Sequence, residues 1–197
     1  GRGGPSYKVH AAYVIPVPDE PRVRPNDAVI TEHGGVLHHA LVTKIKKDHT
    51  FVRFTDLDAR APEVALKHAR FIRQVEGLAP GNYAAMRDGD VYRHVLLVSP
   101  FVEGGTKRWL ALGFAGAILK ADEAALRPIP IKWSPKVGAT IWAASTGTMR
   151  KAIVTAADDP GRFTVKFERA GRPAVVGFGL VMQPLDGDEP ARGKPTR

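Results

Sequence analysis

The stretch KAIVTAADDPGRFTVKF at residues 151–167 decides the fold. Phe163-Thr164-Val165-Lys166-Phe167 alternates apolar with polar residues, and Lys151-Ala152-Ile153-Val154 before it is a short apolar, strand-like run. The alternation has the period of a half-buried strand, and the β-branched and aromatic content agrees. Between the runs, Asp158-Asp159-Pro160-Gly161 supplies residues that tolerate the backbone of a tight turn. The stretch therefore reads as a hairpin.

Working outward, the same pattern recurs twice. Anchored on Val42, Leu97 and Val154, it is spaced by 55 and 57 residues. Thirteen positions before each anchor stand Val29, Ala84 and Ile141, and two before stand Ala40, Val95 and Ala152. After each anchor comes an apolar run: Phe51-Val52-Arg53-Phe54, Trp109-Leu110-Ala111-Leu112, and Phe163 to Phe167. Turn residues recur too. Gly34-Gly35, Asp88-Gly89-Asp90 and Thr146-Gly147 separate the first two strands, while Asp48-His49 and Glu103-Gly104-Gly105 match the turn at 158–161. The expectation is an all-β chain of three copies, at 25–77, 78–131 and 132–185. Each would hold four or five short strands closed into a small barrel, because an open sheet that short leaves unpaired edges. Helical features are confined to short turns, at Pro62–Ala69 and Ala121–Leu126. Residues 1–24 read as an extension with a strand-like Tyr7–Ile15 and a stiff Pro-rich linker, and 186–197 as a charged, disordered tail.

Copies one and three resemble the Tudor/Agenet group of SH3-like barrels. The matching residues are Asn26-Asp27-Ala28-Val29, His39-Ala40-Leu41-Val42 and Val52-Arg53-Phe54-Thr55-Asp56 in copy one. In copy three they are Val137-Gly138-Ala139-Thr140-Ile141, Lys151-Ala152-Ile153-Val154 and Val165-Lys166-Phe167-Glu168. Phe71-Ile72 and Val181-Met182 supply the late apolar pair. The resemblance implies tandem SH3-like barrels and a binding role. Family members that read methylated Lys or Arg enclose the cation in aromatic rings. The corresponding places here hold Leu37-His38-His39 and Thr148-Met149-Arg150, and in copy two Tyr92 beside Arg93 and His94, so methyl reading is not expected.

Composition narrows the function. Of 197 residues, 44% are hydrophobic and 25% charged, as in a globular chain. There is no cysteine, which excludes disulfides, thiolate catalysis and Cys-based metal sites. No apolar run approaches the ~18–20 residues of a membrane span. No Gly-rich phosphate loop, HExxH helix or GxSxG elbow is present, so a non-enzyme without cofactor is expected. His33, His38 and His39 are close in sequence, but adjacent strand residues face opposite ways and no metal site is expected. The chain starts at Gly1, so a leader is not judged from it; an untargeted, cytoplasmic protein is favoured, with an exported or lipid-anchored one as the alternative.

Lys and Arg exceed Asp and Glu by nine, and the excess is largest in copy three. Arg150, Lys151, Arg162, Lys166, Arg169 and Arg172 fall on turns or solvent-facing strand positions, with Lys44, Lys46, Lys47 and Arg53 a smaller set. Trp142 follows Ile141 and so faces away from the core side, either exposed to stack on an unpaired base or set in a barrel–barrel joint. Trp133, in a linker between copies, is with Trp142 a candidate for a functional surface or a barrel–barrel joint, while Trp109, Phe51, Phe54, Phe163 and Phe167 read as core. The expected partner is DNA or RNA, or another anionic polymer, held by Arg150, Lys151, Arg162, Lys166, Arg169, Trp142, Lys44 and Lys46. The alternative is a structural module that packs against a protein or cell-envelope partner.

Overall fold

The computed structural model describes residues 14–17, 22–56, 63–168 and 172–184. They are all-β, in three successive sets of five strands. The first is β1 (Ala28–His33), β2 (Val36–Lys46), β3 (His49–Phe54), β4 (Val64–Lys67) and β5 (Phe71–Arg73). The second is β6 (Tyr83–Asp88), β7 (Val91–Glu103), β8 (Thr106–Leu112), β9 (Ile118–Asp122) and β10 (Leu126–Pro128). The third is β11 (Thr140–Ser145), β12 (Thr148–Asp159), β13 (Arg162–Phe167), β14 (Ala174–Gly177) and β15 (Val181–Met182).

Each set runs in the same antiparallel order: the fifth strand pairs the first, then come the second, third and fourth. The first set is one sheet; the other two join through β7 and β12 into a ten-stranded sheet. Neither sheet is closed, so full closure, expected from edge protection, is not what the chain does. The edges are instead short: β15 has two residues, β5 and β10 three each.

The three anchors occupy equivalent places. In each long second strand the register slips just after the anchor, between Val42 and Lys44, Leu97 and Ser99, and Val154 and Ala156. Such a bulge bends the strand and lets one strand wrap two sides of a core. Each anchor also exchanges backbone hydrogen bonds with the residues just before the set's first strand. Val42 bonds Asn26 and Asp27, Leu97 bonds Gly81 and Asn82, and Val154 bonds Gly138 and Ala139. Asn26, Gly81 and Gly138 all hold positive φ there, a conformation suited to Gly and Asn.

Each set buries its own apolar cluster: Val29, Val42, Val52 and Phe54; Ala84, Val95, Leu97 and Trp109; Ile141, Val154, Phe163 and Val165. Phe167 is also core, and Phe51 is half-buried beneath Lys44. A fourth cluster, of Ala85, Tyr92, Ile129, Trp142, Met149 and Met182, lies between the second and third sets.

Two expectations are corrected. Residues 64–67, read as a helical turn, form β4, because pairing with Thr50, Phe51 and Val52 of β3 outweighs a weak local helical pattern. Residues 14–15, the end of the strand-like Tyr7–Ile15, belong to no strand. The Ala121–Leu126 turn is present as a single 3-10 turn at Glu123–Ala125. The rest of the N-terminal extension before Val14, Pro62 and the charged tail lie outside the described residues.

Candidate anion-binding surface

Residues 132–185 carry eight Lys and Arg against three Asp and Glu. Strand alternation sorts these cations to different places. On β12, Ala152 and Val154 point into the core, and Arg150 shares their side but stands exposed at the strand's end, its Nε 3.3 Å from Thr148 Oγ1. Lys151 faces the other way and pairs with Glu168 at 3.3 Å. Lys166 on β13 is exposed and stands in register with Ile153, so it shares the outer face with Lys151. Arg172 and Lys136 are exposed beside the strands. Arg169 lies outside the described residues.

Two members of the expected site are buried instead. Trp142 is 3% exposed. Its ring meets Tyr92 of β7 at 5.0 Å and packs with Met149 and Met182. The reading that it faces away from its own core is right, but the second set covers that side, so it is a joint residue and not a stacking platform. Arg162 is 5% exposed and its Nη2 donates to Phe54 O at 2.8 Å. The sequence predicts a solvent-facing position for it, but the first set covers it there.

The smaller group in the first set is also divided. Lys44 Nζ pairs with Glu63 at 2.6 Å and sits 4.3 Å above the Phe51 ring. The Lys44 ammonium, then the Thr43 hydroxyl, hold the Glu63 carboxyl below its usual range. Arg53 reaches Asp159 at 3.5 Å, a bridge between first and third sets. Lys46 is exposed and makes no ion pair among the described residues.

The structure thus leaves Lys166, Arg150, Lys136, Arg172, Lys46 and Lys47 as exposed cations without a carboxylate partner among the described residues. Lys166 and Lys151 share one face, Arg150 lies on the other, and Lys46 and Lys47 lie at the β2–β3 hairpin of the first set. No exposed aromatic accompanies them. Among the described residues, Phe114 is the one large aromatic that is mostly exposed, at 65%, and it sits on the β8–β9 turn. Chemically, such a surface can neutralise phosphates; Trp133, the other tryptophan of this set, is half-buried against the third core.

The histidines form a site of a different kind. His39 Nε2 donates to Gly81 O at 2.8 Å, and its ring stacks on Tyr83 at 4.2 Å. Tyr83 also meets His94 at 4.4 Å, and His94 Nε2 donates to Gly179 O at 3.0 Å. Asp56 stands beside them, accepting from His39 N at 2.9 Å, with His38 Nδ1 3.3 Å away. Burial alone would raise the Asp56 carboxyl, but the hydrogen bonds and charge of His39 and His38 leave it lowered. Burial raises the Tyr83 phenol, and the Asp56 charge adds to that. No group of three or more metal-ligating side chains occurs among the described residues. The sequence reading missed this cluster, because its members come from positions 39, 56, 83, 94 and 179. The one local signal was a run of apolar strand residues interrupted by His39 and His94.

No protein-family model matches the chain, and no curated protein is significantly similar to it.

Proposed function

We propose that the chain is a non-catalytic binding module of three tandem SH3-like units that holds nucleic acid, or another phosphate-bearing polymer, through exposed cations of its third set. The SH3-like reading is supported by the shared strand order, the bulged second strand and the Tudor/Agenet resemblance of the first and third sets. The observation that carries the binding reading is the charge imbalance of residues 132–185, with Lys166 and Arg150 exposed and unpaired by any described carboxylate. Ion pairs already formed, such as Lys151 with Glu168, contribute less to an anion than these do. The contacts are to phosphate and not to base faces, since Trp142 is enclosed in the joint. The module therefore recognises charge and shape without reading sequence.

The test is fluorescence anisotropy of a labelled duplex against the wild type and a Lys166→Glu, Arg150→Glu variant at about 50 mM salt. The proposal expects at least a tenfold loss of affinity in the variant; unchanged affinity removes the third set from the interface.

A second reading, a structural or protein-interaction module, rests on a separate feature. Phe114 on the β8–β9 turn and Ile118 at the start of β9 are 65% and 57% exposed. Exposed apolar side chains this close in sequence are typical of contact surfaces with other proteins.

A further inference from the structure

Three sets of strands meet at one small group of rings. From the first set come His39, His38 and Asp56; from the second, Tyr83, His94 and the Gly81 carbonyl; from the third, the carbonyls of Gly147 and Gly179. His39 bonds first set to second, through Gly81 O. His94 bonds second set to third twice, Nε2 to Gly179 O and its backbone N–H to Gly147 O at 3.0 Å. Tyr83 touches both rings, and a Cβ at Gly179 would press on the Tyr83 ring, 2.7 Å from Cδ2. The second and third sets share a single registered pair at this seam, Thr148 with Arg93. The ring group therefore adds side-chain hydrogen bonds between the sets, beside the apolar joint around Trp142.

The charges around His94 are few. Arg93, next to it on β7, is drawn to Asp88. Arg162 on β13 is turned to Phe54 O. Asp56 is engaged by His39 and His38, and Tyr83 is kept neutral by burial. Among the described residues, no carboxylate pairs with the His94 ring to stabilise a second proton on it. We infer that the His39–Tyr83–His94 group is an acid-sensitive latch, and that protonation of His94 releases the second set from the third.

The chemistry is direct. Neutral His94 needs only one acceptor, and Gly179 O provides it. A proton on Nδ1 places a full charge in a half-buried seam near the His39 ring. Burial pushes the His94 imidazole down to about 4; the Gly179 acceptor opposes this, and His39 adds to it. The closed seam therefore binds that proton far less readily than an opened one, where His94 is in water, so acid favours opening.

The experiment is amide hydrogen exchange on the full chain at pH 7.5 and 4.5, corrected for intrinsic rates, read at the His94 N–H that bonds Gly147 O. Taking about 4 closed and about 6.5 open, opening rises about 70-fold from pH 7.5 to 4.5 in the wild type. In His94→Gln, which stays neutral and keeps a donor, the rise is under about threefold. Equal rises in both proteins, or none in the wild type, overturn the latch. If His94→Gln does not fold at pH 7.5, NMR titration of the wild-type His94 ring decides. A midpoint near 4 with amide opening that grows as pH falls supports the latch. A midpoint near 6.5, or amides unmoved by the titration, overturns it.

Discussion

Arg162 on β13 donates from Nη2 to the backbone carbonyl of Phe54 on β3, 2.8 Å away and 108 residues earlier in the chain. One buried guanidinium from the third set thus satisfies the end of a strand in the first. Loss of a charged donor to a buried carbonyl costs about 2–3 kcal/mol. Arg162→Ala is expected to lower urea stability by about that amount, while Arg150→Ala, at an exposed site, changes it by about 0.5 kcal/mol or less. Equal effects of the two would show that Arg162 does not hold the sets together.

Trp142 is expected to behave as a joint residue. Trp142→Ala leaves a cavity among Tyr92, Met149 and Met182 and costs about 3–5 kcal/mol. Trp142→Phe, which keeps a ring there, leaves oligonucleotide affinity within about twofold of wild type. A large loss of affinity in the stably folded Phe variant would restore Trp142 as a stacking residue.

Glycine 177 tests close approach between sets. A Cβ there would fall on the Thr55 carbonyl oxygen, backbone that cannot swing aside. Gly104 is the control: it has φ 59° and nothing within 4 Å of an added Cβ. Gly104→Ala is expected to cost about 1–2 kcal/mol from backbone conformation alone. Gly177→Ala, with no such strain, is expected to cost more through the clash, as chemical denaturation would show.

Stability should fall in mild acid. The His94 pKa is lower in the folded chain than in the unfolded one, so between about 6.5 and about 4 the unfolded chain binds more protons. Its contribution is complete above the unfolded value and is lost as pH falls. From pH 7 to 4.5 the loss is about 2.5 kcal/mol. Asp56, lowered in the fold, adds a further loss only below its unfolded value. Urea midpoints across this range in wild type and His94→Gln would show the difference; parallel curves would exclude His94.

The all-β character and the place of each long strand were legible in the sequence. Val42, Leu97 and Val154 mark buried bulge positions because the core of each set demands an apolar residue where its long strand bends. What alternation shows is which face of a strand a residue occupies, and it did so correctly for Trp142. It does not show what covers that face. Arg162 is expected to face solvent and is covered by another set, distant in sequence, while Trp142 takes the joint alternative of its two readings. The 64–67 segment was misread because a four-residue strand carries too little period to compete with a local helical pattern. Arg150 and Lys151 were grouped by adjacency, although neighbours on a strand face opposite ways.

The central claim, that exposed cations hold a phosphate polymer, is tested most directly by the salt dependence of binding. Anisotropy of the wild type with duplex and single-stranded oligonucleotides at about 50 and 200 mM salt is the measurement. The account predicts submicromolar duplex binding at the lower salt, a loss of about 10³-fold if six or more phosphates are neutralised, and no preference for unpaired strands. Weak binding at both salts would contradict it.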